Sequence, residues 1–344
     1  MANPPAITEQ YHRTLAIGGV LDDGDQSALE LTGPDRVRWL DNLVTNAVAP
    51  LTAGQAAYAL ALNVKGRILA DLHILVLPDR LRLHVDRRVA AALRNHLERH
   101  LITEDVAIRP VDGLLPAVAL LGPRAADALR AAGLADAAAL PPLHHTVIQQ
   151  ADGPLLLLRR RTAGLPAFEV CPVAADGPPA AVERIRRAAA GLGFARLSPA
   201  GRDILRIESG EPRIVDDFDE TTLALETGLQ DRAVCRAKGC YLGQEIVERM
   251  WSRGAAARRI AAVAAEGETP PAPGSPVLLD GREVGRTRSG CWSEALGGPL
   301  SLAILKAEAA TPGAVLTVTV GPEGPDRDVP PHRTARVVAT PVRG

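Results

Sequence analysis

Across 344 residues the chain is 47% hydrophobic and 23% charged, with a formal net charge of −1. That describes an ordinary globular protein with room for two or three domains. The lack of a basic excess speaks against direct nucleic-acid contact, and 3% aromatics leave little for a base-stacking platform.

The N-terminus, Met1-Ala2-Asn3-Pro4-Pro5, has no cationic segment leading into an apolar one, so a secretory signal is not expected. No apolar run approaches the ~20 residues of a membrane span. The cysteines are Cys171, Cys235, Cys240 and Cys291. None forms a Cys-x-x-Cys pair and no histidine follows closely, so no metal site is expected. Free thiols in a reducing cytoplasm are the expectation.

In chain order, Ala28-Leu29-Glu30-Leu31-Thr32-Gly33-Pro34 is echoed by Ala117-Val118-Ala119-Leu120-Leu121-Gly122-Pro123. Each copy reads as a short apolar strand, a Gly-Pro turn and a helix, at about 35–44 and 124–132. Strands follow the first near 56–62, 68–77 and 81–85, then a helix at 88–100 with Val89, Leu93, Leu97 and Leu101 at helical spacing. Strands follow the second near 146–150, 155–160 and 168–171, then a helix at 180–190. The same order twice predicts a duplicated α+β unit.

Ser198 and Gly210 bracket a capped helix carrying Arg206 and Glu208. An acidic loop with Asp216, Asp217, Asp219 and Glu220 comes next, then Glu226. Beyond residue 254 proline and glycine cluster, and short β-rich runs at 275–279, 283–287, 300–305, 315–320 and 334–339, with an Asp280-Gly281 hairpin signal, predict a small barrel. The expected division is residues 1–112, 113–254 and 255–344, the first two free to interleave.

Lysine is scarce: Lys65, Lys238 and Lys306 stand against 36 arginines, from 39 Lys plus Arg less these three. One of the three lies in Lys238-Gly239-Cys240-Tyr241-Leu242-Gly243-Gln244-Glu245. A nearby cation or helix N-terminus raises the thiolate fraction of a cysteine. Gly239 and Gly243 allow a tight turn, and a helix is expected from Gln244 to Met250. Lys238 and Cys240 are therefore the candidate reactive pair. A small buried hydrophobe is the competing reading for any cysteine, and it suits Cys171 and Cys291. Carboxylates of the acidic segment, Glu208, Asp217 and Glu226 among them, could hold the N–H edge of a heterocycle. Arg159-Arg160-Arg161 reads as a solvated strand edge, and His144-His145 lacks a third ligand.

The Lys-Gly-Cys-aromatic-x-Gly-Gln-Glu word resembles the signature of the YgfZ-type folate-binding proteins, relatives of the glycine-cleavage T-protein. Leu31-Thr32-Gly33-Pro34-Asp35-Arg36, Leu43-Val44-Thr45-Asn46 and Arg206-Ile207-Glu208-Ser209-Gly210 are similar to superfamily words as well. The resemblance implies a T-protein-like fold of three subdomains around a central hole that binds tetrahydrofolate. It implies support of iron–sulfur enzymes, including radical tRNA-modifying ones, by a helper with little or no enzymatic activity of its own. On this resemblance Cys240 and Lys238 carry the chemistry. Asp71, Arg206, Glu208, Asp217, Glu226, Tyr241, Gln244 and Glu245 hold the folate, and Gly239 and Gly243 shape the turn.

The alternative is a folate-dependent aminomethyltransferase of the glycine cleavage system. That branch carries a Gly-Gly-x-x-Asp-Asp word where this chain has Gly66-Arg67-Ile68-Leu69-Ala70-Asp71. The broken acidic pair and the Lys-Gly-Cys word both favour the helper, and Asp71 keeps the transferase open. A flavin-dependent demethylase or oxidase is disfavoured by the lack of a Gly-x-Gly-x-x-Gly word.

Overall fold

In a computed structural model of the protein, residues 2–22, 24–111, 118–151, 153–173, 180–254, 256–320 and 332–343 are described. The chain divides into two compact units that interleave in sequence. One comprises His12–Leu197 and Leu229–Ile246, the other Met1–Tyr11, Ser198–Gly228 and Val247–Gly344. Residues 198–228 thus group with the barrel, where the sequence reading kept 113–254 together.

The first unit is built on two sheets. It begins inside an N-terminal helix, Pro5–Ala16, after which come strands β1 (Gly19–Leu21) and β2 (Gln26–Thr32) and helix α1 (Arg36–Asp41). Then come β3 (Ala56–Leu62), β4 (Ile68–Val76), β5 (Leu81–Asp86), helix α2 (Arg87–Glu98) and β6 (Ala107–Pro110). The second half runs β7 (Val118–Leu121), α3 (Ala125–Ala131), α4 (Ala135–Ala138), β8 (His144–Ile148), β9 (Leu155–Thr162), β10 (Leu165–Pro172), α5 (Ala180–Gly191) and β11 (Ala195–Arg196).

One sheet has the order β3-β4-β5-β2-β6 and the other β11-β1-β7-β10-β9-β8. The run β3-β4-β5-β2 is repeated as β8-β9-β10-β7, so the expected duplication holds in space as well as in sequence. The two Gly-Pro turns are also alike. Gly33 (φ 100°) and Gly122 (φ 112°) both lie in the left-handed region. A Cβ at Gly33 would come within 2.1 Å of the Asp105 carbonyl oxygen, and one at Gly122 within 2.7 Å of Gly18 Cα. Only glycine tolerates both demands.

Alternation decides what each sheet buries. On β4, Ile68, Ala70, Leu72 and Ile74 are fully buried while Leu69, Asp71 and His73 are half-buried. The buried set packs with Leu29, Leu31, Leu83, Val85, Leu93 and Leu97 in one core. The matching core of the second half uses Leu120, Leu129, Leu155, Leu157, Phe168 and Ile185. Each such aliphatic side chain contributes roughly 1.5–3 kcal/mol on burial.

Helix α1 stops at Asp41, short of the expected Val44. The carbonyls of Asp41 and Val44 accept from Lys238, which diverts them from helical bonding.

The second unit holds helix α6 (Pro199–Glu208), with Ser198 as N-cap accepting from Gly201 N–H, as its sequence predicts. It also holds a closed barrel of β12 (Arg258–Ala265), β13 (Pro276–Leu279), β14 (Arg282–Ser293), β15 (Gly298–Lys306), β16 (Val315–Thr319) and β17 (His332–Val338), in the order β12-β15-β14-β13-β16-β17. The sequence reading lacked β12, the strand that closes the barrel by pairing with both β15 and β17. It also ended β14 at Thr287. The strand continues to Ser293 through an irregularity between Thr287 and Gly290.

Candidate functional site

The signature word forms a turn on the first unit, followed by a helix from Gln244 to Ser252. Gly243 takes φ 82°, and a Cβ there would lie 2.7 Å from the Asn63 carbonyl oxygen. The turn therefore needs glycine at 243, whereas Gly239 faces open space. Leu242 N–H donates to the Asn42 carbonyl, and Tyr241 N–H to Gln244 Oε1 at 3.3 Å. Tyr241 is buried with its ring 5.5 Å from the Lys238 ammonium. Glu245 is exposed.

Lys238 does not serve Cys240 as its sequence position suggests. Its side chain is 3% exposed and lies 3.4 Å from the Asp41 carboxylate. Its ammonium donates to three backbone carbonyls, Asp41 at 2.5 Å, Val44 at 2.9 Å and Asn46 at 2.9 Å. All three N–H donors are spent. Burial lowers the Lys238 pKa, while Asp41 and the Cys235 thiol pull it back up. Cys240 is exposed. It lines an open concavity of about 630 Å³ with Asn42, Leu43, Val64 and Leu242. Among the described residues no hydrogen bond reaches its sulfur.

The expected folate ligands of the second unit are already engaged within that unit. Glu208 is fully buried and accepts from Tyr11 Oη at 2.7 Å, Ser293 Oγ at 2.7 Å and Ala295 N–H at 3.1 Å. Arg206 bridges Asp203 at 2.8 Å and Asp217 at 2.7 Å. Asp217 is fully buried and also accepts from Arg213 N–H and from the N–H and hydroxyl of Ser289. Glu226 receives Arg258 through both oxygens and caps its own Leu223 N–H. These four residues hold the unit together. The expectation that they offer open groups to a ligand gives way to partners the sequence does not reveal.

Asp71 differs. It lies on the face of β4 opposite the apolar core, and Tyr58 Oη donates to its Oδ2 at 2.7 Å. Crowding by protein pushes its carboxyl pKa up, against the pull of Tyr58 and Arg160. Ala70, the other half of the broken acidic word, is fully buried in the core. The alternation of β4 therefore places the missing acid on the apolar side and leaves the retained one on the opposite, half-buried face.

Around Asp71 lies a set of residues that the sequence reading passed over. Tyr58, His73 and His84 are cross-strand neighbours on β3, β4 and β5. The Tyr58 and His73 rings lie 4.9 Å apart, and the Arg232 guanidinium stands 5.5 Å from the Tyr58 ring centroid. His84 Nδ1 is 3.5 Å from fully buried Glu169, which Arg160 pairs and Gln26 bonds at 3.1 Å. Arg160 thus turns inward from the strand read as solvated. Burial pushes the Glu169 pKa up, but Arg160 and His84 outweigh it and leave it at about 2. Polar letters at alternate positions of an apolar strand, Asp71 and His73, were the available signal. His145 is buried and donates to the Val76 carbonyl at 3.0 Å. Among the described residues no group of His, Cys, Asp and Glu could hold a metal ion, and no helix is long and apolar enough to cross a membrane.

Comparison with known families and proteins fixes the superfamily. The GCVT N-terminal domain matches residues 4–237, and the glycine cleavage T-protein C-terminal barrel domain matches 258–342. The chain belongs to the glycine-cleavage T-protein superfamily. It is 26% identical to the aminomethyltransferase of Nostoc sp. over 326 residues, covering 91% of this chain and 84% of that one. The aminomethyltransferase of Rubrobacter xylanophilus is 27% identical, with 88% and 80% covered. The crystal structure of glycine cleavage system aminomethyltransferase T from Bartonella henselae superposes with a TM-score of 0.83 over 98% of this chain and 89% of that one. At 21% identity this likeness speaks for the fold. The expected T-protein-like α+β architecture with a C-terminal barrel is the fold of the chain, and the two relatives named here bear the transferase name rather than that of the YgfZ type.

Proposed function

We propose that the chain binds a reduced folate, tetrahydrofolate or a close relative, at the Asp71 face of its first unit and there performs one-carbon transfer of the aminomethyltransferase type. Asp71 is the observation that carries this reading. It is an expected folate ligand that stays half-buried, with Tyr58 donating to its carboxylate and its pKa raised by burial. A carboxyl so tuned can hold or release a proton nearer neutral pH, which suits an amine that must change protonation as its carbon is passed on. The names of the relatives support the same reading. Turnover of an aminomethylated carrier protein with tetrahydrofolate is expected, and a wild-type protein that binds the folate but never turns over would sink the transfer step.

A second reading is favoured by the signature turn: a folate-binding helper of iron–sulfur enzymes, radical tRNA-modifying ones included, working through Cys240. What supports it is an exposed thiol on a turn fastened from below by Lys238. Complementation of a deletion strain separates the two, with iron–sulfur enzyme activity as the readout. The helper reading expects Cys240→Ala to fail; the transferase reading expects that substitution not to matter there. In both, a net charge of −1 argues that any link to tRNA runs through client enzymes and not direct contact.

A further inference from the structure

His73 sits two residues from Asp71 on the same face of β4, roughly 6.6 Å along the strand. Its ring lies tilted by 42° against that of Tyr58, 4.9 Å away, the same tyrosine that donates to Asp71. Its cross-strand neighbour on β5 is His84, which leans on Glu169. Unlike His84, whose two ring nitrogens are sealed from solvent, His73 is half-buried, and among the described residues no hydrogen bond engages its nitrogens. Its ring nitrogens are therefore uncommitted among the described residues, on the half-buried face that it shares with Asp71.

The groups around it decide its charge state. Burial, Arg160, His84 and Arg232 all disfavour a proton on His73 and only Glu169 favours one, so its pKa falls to about 3. The imidazole is neutral throughout the physiological range. It offers one N–H donor and one lone pair, next to a carboxyl that also has one oxygen committed to Tyr58.

Resting on the folate reading above, we propose that His73 is a further ligand-contacting residue of the Asp71 site, offering one ring nitrogen, as donor or as acceptor, to the edge of a neutral, nitrogen-rich heterocycle of the reduced-pteridine class. A neutral imidazole complements such an edge without attracting anions, because the nearby Arg160 charge is matched by Glu169.

The test uses the full chain and tetrahydrofolate in anaerobic titration calorimetry. His73→Phe keeps the ring against Tyr58 and removes both nitrogens; His73→Gln restores a donor and an acceptor. We expect His73→Phe to weaken binding roughly tenfold and His73→Gln to recover most of it, with thermal unfolding unchanged in both. The His73 ring resonances of the wild-type protein should also shift on adding the folate. If His73→Phe binds like wild type while Asp71→Asn binds more weakly, His73 is no contact and the folate reading stands. If wild type shows no binding at all, the folate reading falls and takes this inference with it.

Discussion

Two sets of acids, read alike from sequence, meet opposite fates. Glu208, Asp217 and Glu226 are saturated by Tyr11, Ser293, Arg206, Ser289 and Arg258 within one unit. Asp71, on a strand of the other unit, stays half-buried and has, among the described residues, a single side-chain hydrogen-bond partner, from its own sheet. The difference teaches that a carboxylate's availability is set by long-range partners. A buried acid with every oxygen bonded stabilises the fold, and one left half-open can serve a ligand.

The contrast can be broken most sharply by substitution. Asp71→Asn is expected to lower folate-dependent turnover by about 10²–10⁴-fold while the urea midpoint stays near wild type. Glu208→Ala should do the reverse. It leaves Tyr11, Ser293 and Arg343 around a vacated buried site and should cost about 3–5 kcal/mol in urea unfolding. Turnover per folded molecule should be retained. Equal loss of turnover per folded molecule in both variants would erase the distinction. Lys238→Met should cost about 1–3 kcal/mol, because it strands three carbonyls. It should also make the turn around Cys240 exchange its amide hydrogens faster.

A pH titration sharpens the same contrast. Burial pushes His96 and His145 down to about 4 and His73 down to about 3, against about 6.5 in the unfolded chain. From about pH 6.5 down to those folded values the unfolded state binds more protons. Stability should therefore fall as pH drops through that window and level off below it. His145→Gln should flatten the slope of the urea midpoint against pH; an unchanged slope would show that this histidine does not enter the fold neutral. The smallest effect is expected from alkylation of the native protein. Cys240 should react first, and Cys171 and Cys291, both buried, only on unfolding. Burial raises the Cys291 pKa far above the ordinary thiol value.

Much of the fold is legible in the sequence because periodicity and turn chemistry are local. The repeated Gly-Pro turns, the β3 strand and the Ser198 cap follow from neighbouring letters alone. What stayed hidden is long-range. Nothing near Arg258 announces the strand that closes the barrel, since its partners are β15 and β17. Likewise nothing near Lys238 announces that its acceptors lie in residues 41–46. Of the proposed site, Asp71 and Cys240 could be picked out by motif. The site was illegible where cross-strand register mattered, as with Tyr58 and His73 or with Glu169 and Arg160.

The carbonyl cage around Lys238 also accounts for a peculiarity of composition. A chain that spells nearly every cation as arginine keeps lysine here. An ammonium is a compact tetrahedral donor, and its three hydrogens can diverge to three separate oxygens; a guanidinium is a flat fork built for parallel acceptors. Drift toward arginine, free to run over most of the surface, meets at this position a hole of the wrong shape. The rare lysine is thus a record of geometry written in amino-acid usage, and Lys238→Arg, conservative in charge, is the change this turn is least equipped to absorb.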